Sequence, residues 1–154
     1  MRDSAFLSPL RPSHQRPLKS YNLELRRKME KAAIAHAVAY FQALHGPACE
    51  VLTVETEAKG WDLEVYTAAK LLVEVKGLLG PARACELTLN EFENMMMLGN
   101  RARYIVHVVN NALAEPPSVP VASIFKHAGG EEWFTEDGRA LLITPRTGTI
   151  LTCA

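Results

Sequence analysis

Between residues 22 and 45, apolar side chains recur at three- and four-residue intervals: Met29, Ala33, Ile34, Ala37, Val38, Phe41 and Leu44. That spacing is one buried face of an α-helix. The run is rich in Ala, Leu, Glu and Lys and closes at Gly46-Pro47, so it predicts one long helix over 22–45. The pattern then changes to the two-residue alternation of strands, at about 49–56, 61–67 and 70–76. Thr88-Leu89-Asn90-Glu91 has a hydroxyl at the N-cap and Glu three residues on, the capping box that opens a second helix over about 89–99. Tyr104 to Val109 is a short apolar run of the kind a buried strand shows. Helix, three-strand antiparallel meander, helix, strand describes an α/β core over about 22–110.

Past that core, NNALAEPPSVP is a proline-punctuated loop. A strand is expected at 121–126, and strand-like runs at 132–135 and 139–144, with turns at Gly129-Gly130, Glu136-Asp137-Gly138 and Arg146-Thr147-Gly148. This β extension, about 119–154, reads either as more of the same sheet or as a small β lobe. It could help to bind substrate or to build a homodimer.

The strand pattern carries the chemistry. A hairpin centred on Ala68 places Asp62 directly opposite Glu74, with Cβ atoms roughly 4.5–5.5 Å apart, and Glu74 and Lys76 share a face. Two carboxylates and an ammonium then converge on one patch. Like charges opposite each other destabilise a sheet, so a compensating cation is expected, and a divalent metal is the natural candidate. Charged residues alternating with Leu and Val are also how any half-exposed strand reads. Glu30 borders the helix face formed by Ile34, Ala37 and Phe41. It is either a third acid aimed at the patch or a Glu at the stripe's edge whose head reaches water.

Composition sets limits. The 154 residues are 48% hydrophobic and 22% charged, which is a single soluble globular domain. Three cysteines, none in a Cys-X-X-Cys pair, argue against a disulfide framework and for a reducing cytoplasm. No apolar run reaches the roughly 18 residues of a membrane span, so no membrane partner is expected. Formal charge is zero, yet residues 1–31 hold eight Lys/Arg against three acids. Residues 1–20, with Pro9, Pro12 and Pro17, read as an irregular basic arm preceding the domain at 21–154. The five histidines lack zinc spacing, and His107 reads as a packed core residue of the fourth strand.

In order, the motifs are Met29-Glu30 with Ala32 and Ala33, Gly60-Trp61-Asp62, Glu74-Val75-Lys76-Gly77, Leu87-Thr88-Leu89-Asn90-Glu91-Phe92, and Tyr104 to Val109. Over about 26–110 they resemble the PD-(D/E)XK nuclease superfamily, and more narrowly the NO VEIN C-terminal-like domain family of unknown function. The usual Pro before the Asp is Trp61 here. The resemblance implies a restriction-endonuclease-like core and a metal-dependent nuclease. It implies that Asp62, Glu74 and the Val75 backbone carbonyl hold Mg²⁺ or Mn²⁺, hard cations that suit oxygen donors. Glu30 would bind a second ion or a metal-bound water, and Lys76 would orient the attacking water or stabilise phosphate charge. The expected partner is nucleic acid, DNA ahead of RNA, and the expected product carries a 5′-phosphate. Arg26, Arg27, Lys28, Arg101 and Arg103 are the candidate phosphate contacts, although solvated arginines read the same way. The competing class is a catalytically silent module that keeps this fold to bind nucleic acid or a protein.

Overall fold

Small side chains decide how the first helix docks. The computed structural model describes residues 23–81, 84–114, 121–127, 132–145 and 149–153. Helix α1 spans Leu23–His45 and buries Ala33, Ala37 and Phe41, one residue per turn. Leu44, at the end of the expected stripe, is exposed. Gly46, at φ +84°, donates its N–H to the Gln42 carbonyl at 2.9 Å and ends the helix.

Strands β1 (Glu50–Thr53), β2 (Leu63–Tyr66) and β3 (Lys70–Gly77) form the expected antiparallel meander, with a single 3₁₀ turn at Glu55–Glu57 between the first two. In the register of β2 with β3, Leu63 pairs with Val73 and Tyr66 with Lys70, so the hairpin turns about Ala68 as the pattern predicts. Alanine at 33 lets α1 close on β3. A Cβ on Gly77 would stand 2.9 Å from the Met29 carbonyl oxygen and 3.0 Å from Ala33 Cβ, so only glycine fits there.

The chain continues through β4 (Ala84–Leu87), α2 (Leu89–Met96), α3 (Leu98–Arg101) and β5 (Tyr104–Asn110). The one helix expected at 89–99 is two, because Met97 takes an extended conformation, φ −62° and ψ 129°, between them. β5 is buried throughout and runs parallel to β3. Then follow β6 (Val121–His127), β7 (Trp133–Thr135), β8 (Leu141–Pro145) and β9 (Thr149–Cys153).

The C-terminal strands go to two different sheets. β6 and β7 extend the central sheet, whose order is β1-β2-β3-β5-β6-β7. β8 and β9 join β4 in a second sheet, β4-β9-β8. Neither β4 nor β9 was expected from the residue pattern. The turn at Glu136–Gly138 closes with Gly138 N–H on the Thr135 carbonyl at 3.0 Å. The basic arm at 1–20 and the turns expected at Gly129-Gly130 and Arg146-Thr147-Gly148 lie outside the described residues.

The central sheet separates two cores. On one face α1 packs against Leu63, Val65, Val73, Val75, Ile105 and Val109. On the other, Leu72, Tyr104, Val106, Val108 and Phe125 meet Met95 of α2 and Cys85, Leu87 and Leu151 of the second sheet. Among the described residues no helix is long and apolar enough to cross a membrane.

Candidate functional site

Alternation along β3 decides which helix can contribute to the site. Val73, Val75 and Gly77 face α1, so Glu74 and Lys76 share the opposite face with Leu72, and this is the face that α2 covers. At the start of α2, the Thr88 hydroxyl accepts the Glu91 N–H at 3.3 Å and Glu91 Oε2 accepts the Thr88 N–H at 2.8 Å. The expected capping box is therefore present. It also brings Glu91 to Lys76. The Lys76 Nζ lies 2.7 Å from Glu91 Oε2 and 2.8 Å from Glu74 Oε1.

Asp62 arrives on a tightly constrained loop. Gly60 has φ +90°, and a Cβ there would lie within 2.7 Å of the Asn94 side-chain Cγ, so the glycine is required twice over. The buried Tyr104 hydroxyl donates to the Gly60 carbonyl at 2.5 Å and ties the loop to β5. Two residues on, the Asp62 N–H donates to the Val73 carbonyl at 2.8 Å and Asp62 Oδ2 accepts the Val75 N–H at 2.8 Å. The N–H and C=O of one strand residue point to the same edge, so the Val75 carbonyl is turned towards Asp62 as well.

Three acids share one base. Burial alone would discharge Lys76, but Glu74 and Glu91 hold it charged, above the ordinary lysine value. Burial pushes Glu74 well above the usual carboxylate range; Lys76 pulls it back, while Asp62 and Glu91 push it further. Asp62 is also raised, chiefly by burial, against the Val75 N–H and Lys76. A buried site with surplus carboxylate is one that a further cation would stabilise.

A second buried carboxylate behaves in the opposite way. Glu64, only 3% exposed, accepts from Lys59 (3.3 Å), Trp61 Nε1 (3.2 Å) and Lys70 (2.9 Å) on one oxygen, and from the Tyr66 hydroxyl (2.7 Å) on the other. Burial would raise it, but these four donors hold it at about 2. Trp61, next to Asp62 in the chain, thus ties the loop to the base of β2 through Glu64.

The expected site residues divide accordingly. Asp62, Glu74 and Lys76 come together. Glu30 does not join them: it is exposed on α1, which packs on the other face of the sheet. The third acid is Glu91, whose sequence signal was visible only as a cap. Arg26, Arg27 and Lys28 are exposed on α1, with Lys28 paired to Glu24 at 3.2 Å. Arg103 donates Nε to the Gly99 carbonyl at 3.2 Å and so serves the end of α3, while Arg101 is half-buried.

For a hard divalent cation the donors fit in kind. Asp62 Oδ1 and Glu74 Oε2 have no hydrogen-bond donor among the described residues, and the Val75 carbonyl is turned to the same side. Among the described residues no three of His, Cys, Asp and Glu are grouped around one point. Water would have to complete the coordination, which Mg²⁺ tolerates.

Fold and site define an α/β domain with a carboxylate–lysine cluster on a strand of its central sheet. Residues 29–122 match the family described as Protein NO VEIN, C-terminal, and the chain belongs to that family. The PD-(D/E)XK superfamily is a reasonable extension of that membership, with which the mixed α/β core is consistent. No curated protein and no solved structure matches the chain.

Proposed function

We propose that this domain is a metal-dependent nuclease that hydrolyses nucleic-acid phosphodiester bonds, on DNA in the first instance. One observation carries the reading: Asp62, Glu74 and Glu91 gather around the single ammonium of Lys76, so the site holds more carboxylate than positive charge. Asp62 and Glu74, with the Val75 carbonyl, would hold Mg²⁺ or Mn²⁺. When bound, such an ion lowers the pKa of water and neutralises charge on the phosphate. The chain's own residues do the rest. The Val75 N–H fixes the Asp62 carboxylate. Lys76, kept charged by its neighbours, orients the attacking water or stabilises charge developing on phosphate.

The test is a panel of labelled DNA and RNA substrates, single- and double-stranded, incubated with Mg²⁺ or Mn²⁺. Wild type should cleave at least one, and Lys76→Ala, Asp62→Asn and Glu74→Gln should not. A bound ion stabilises the fold by RT ln(1 + [L]/Kd), so wild type should gain melting temperature with metal and the two carboxylate variants should not.

The second reading is a catalytically silent module that binds nucleic acid or a protein, including a second copy of itself. The Lys76 ion pairs and the exposed Glu30 favour it. No cleavage of any substrate, with equal metal responses from wild type and both carboxylate variants, would make it the better account.

A further inference from the structure

One oxygen of Glu91 receives two donors. Oε2 accepts the Lys76 ammonium at 2.7 Å and the Thr88 backbone N–H at 2.8 Å. The second donor belongs to the N-cap of α2, so the place of this oxygen is set by the helix rather than by a free rotamer. The ion pair it makes is also withdrawn from water: the Lys76 and Glu91 side chains are 21% and 17% exposed. An exposed pair would gain little from such contact, but this one is held in place at both ends.

The other partner of Lys76 is Glu74 Oε1, at 2.8 Å. Glu74 is therefore asked to serve both the lysine and, on the nuclease reading, a divalent cation. If Glu74 turns to the cation, Lys76 keeps a single anionic partner, and that partner is Glu91. Glu91 Oε2 is fixed from two sides, by the lysine and by the backbone of the N-cap, whereas Glu74 has the lysine alone on its Oε1, so Glu91 is the partner that keeps its place.

We propose that Glu91 is the positioning residue for Lys76, retaining the ammonium at the site when Glu74 is given over to metal, without being a ligand itself. The inference rests on the metal-dependent reading above. It makes the first turn of α2 part of the catalytic apparatus, and one side chain both the helix cap and the lysine's anchor.

Glu91→Gln in the full chain separates those two roles, because Gln at the third helical position still completes a capping box while its charge is gone. Ammonium protons held in an ion pair exchange slowly, so the Lys76 resonance can be followed by proton–nitrogen NMR without any substrate. In wild type it should persist when Mg²⁺ is added. In Glu91→Gln it should be present without Mg²⁺, held by Glu74, and vanish with it. Calorimetry should give unchanged Mg²⁺ affinity, and kcat should fall about 10–100-fold at constant KM, as for other residues that orient a site from behind. Thr88→Ala, which removes the hydroxyl half of the box and leaves the charge, should melt lower yet keep the Lys76 resonance when Mg²⁺ is added, as loss of the charge in Glu91→Gln does not.

Glu91→Gln with wild-type kcat and a Lys76 signal that survives Mg²⁺ would reduce Glu91 to a cap. A matching loss of Mg²⁺ affinity would make it a ligand and overturn the proposal equally. Wild type that neither binds Mg²⁺ nor cleaves anything fails at the metal-dependent reading itself, a result distinct from both.

Discussion

Asp62 accepts the Val75 N–H through its side chain, at 2.8 Å, just beyond the point where β2 begins its ladder with β3. The carboxylate thus takes the place of a strand residue and at the same time stands beside Glu74. Asparagine can accept the same N–H, so Asp62→Asn should leave the metal-free protein as stable as wild type, or slightly more so through lost repulsion. Asp62→Ala leaves the N–H unpaired and should cost about 1–3 kcal/mol. Urea denaturation of the three proteins without metal checks this.

Glu64 gives a pH dependence of known sign. Its folded pKa, about 2, lies below its ordinary value of 4.5. Its contribution to stability is therefore fully present above 4.5 and is lost as pH falls through about 2. Glu64→Gln keeps the volume and removes the charge that Lys59 and Lys70 pair with. Because both lysines are about one-third exposed, screening keeps the expected loss near neutrality to about 2 kcal/mol. The difference between variant and wild type should shrink towards low pH in acid-titrated melts.

His107 acts in a different window. It is fully buried on the α1 face, with Nε2 3.1 Å from His36 Nδ1 and its ring against Tyr40 and Phe41. Burial, and then His36, hold it neutral down to about 3, whereas the unfolded chain takes up a proton near 6.5. Stability from this group is complete above 6.5 and drains away as pH falls towards about 3. His107→Leu should flatten that slope. Denaturation midpoints measured at about pH 7 and about pH 5 should differ less in the variant than in wild type.

Gly60→Ala should be costly for two separable reasons. Holding alanine at φ +90° costs about 1–3 kcal/mol, and its Cβ runs into the Asn94 side chain. Adding Asn94→Ala relieves the collision and leaves the backbone strain. The double variant should therefore melt between wild type and Gly60→Ala. Since Gly60 is also held by Tyr104, the metal-dependent reading proposed above expects Gly60→Ala to weaken Mg²⁺ binding as well, which calorimetry would read.

What was legible in the residues was local. The alternation from 61 to 76 requires no knowledge of the rest of the molecule to set Asp62 against Glu74, because a hairpin's register follows from its turn. Thr88 and Glu91 likewise place a helix start within four residues. The identity of the third acid was of another kind. Glu30 and Glu91 both stand on helices beside apolar stripes, and helical periodicity says which side of a helix is buried, never which face of a sheet it covers. Only the docking of Ala33 on Gly77 puts α1 over the odd-numbered residues of β3 and so leaves the even-numbered Glu74 and Lys76 to α2. The second sheet was hidden for a related reason. Ala84–Leu87 carries no β-branched residue and finds its partner in Thr149–Cys153 at the far end of the chain. Pairing at that separation is decided by burial against the finished core, and not by any preference its own four residues express.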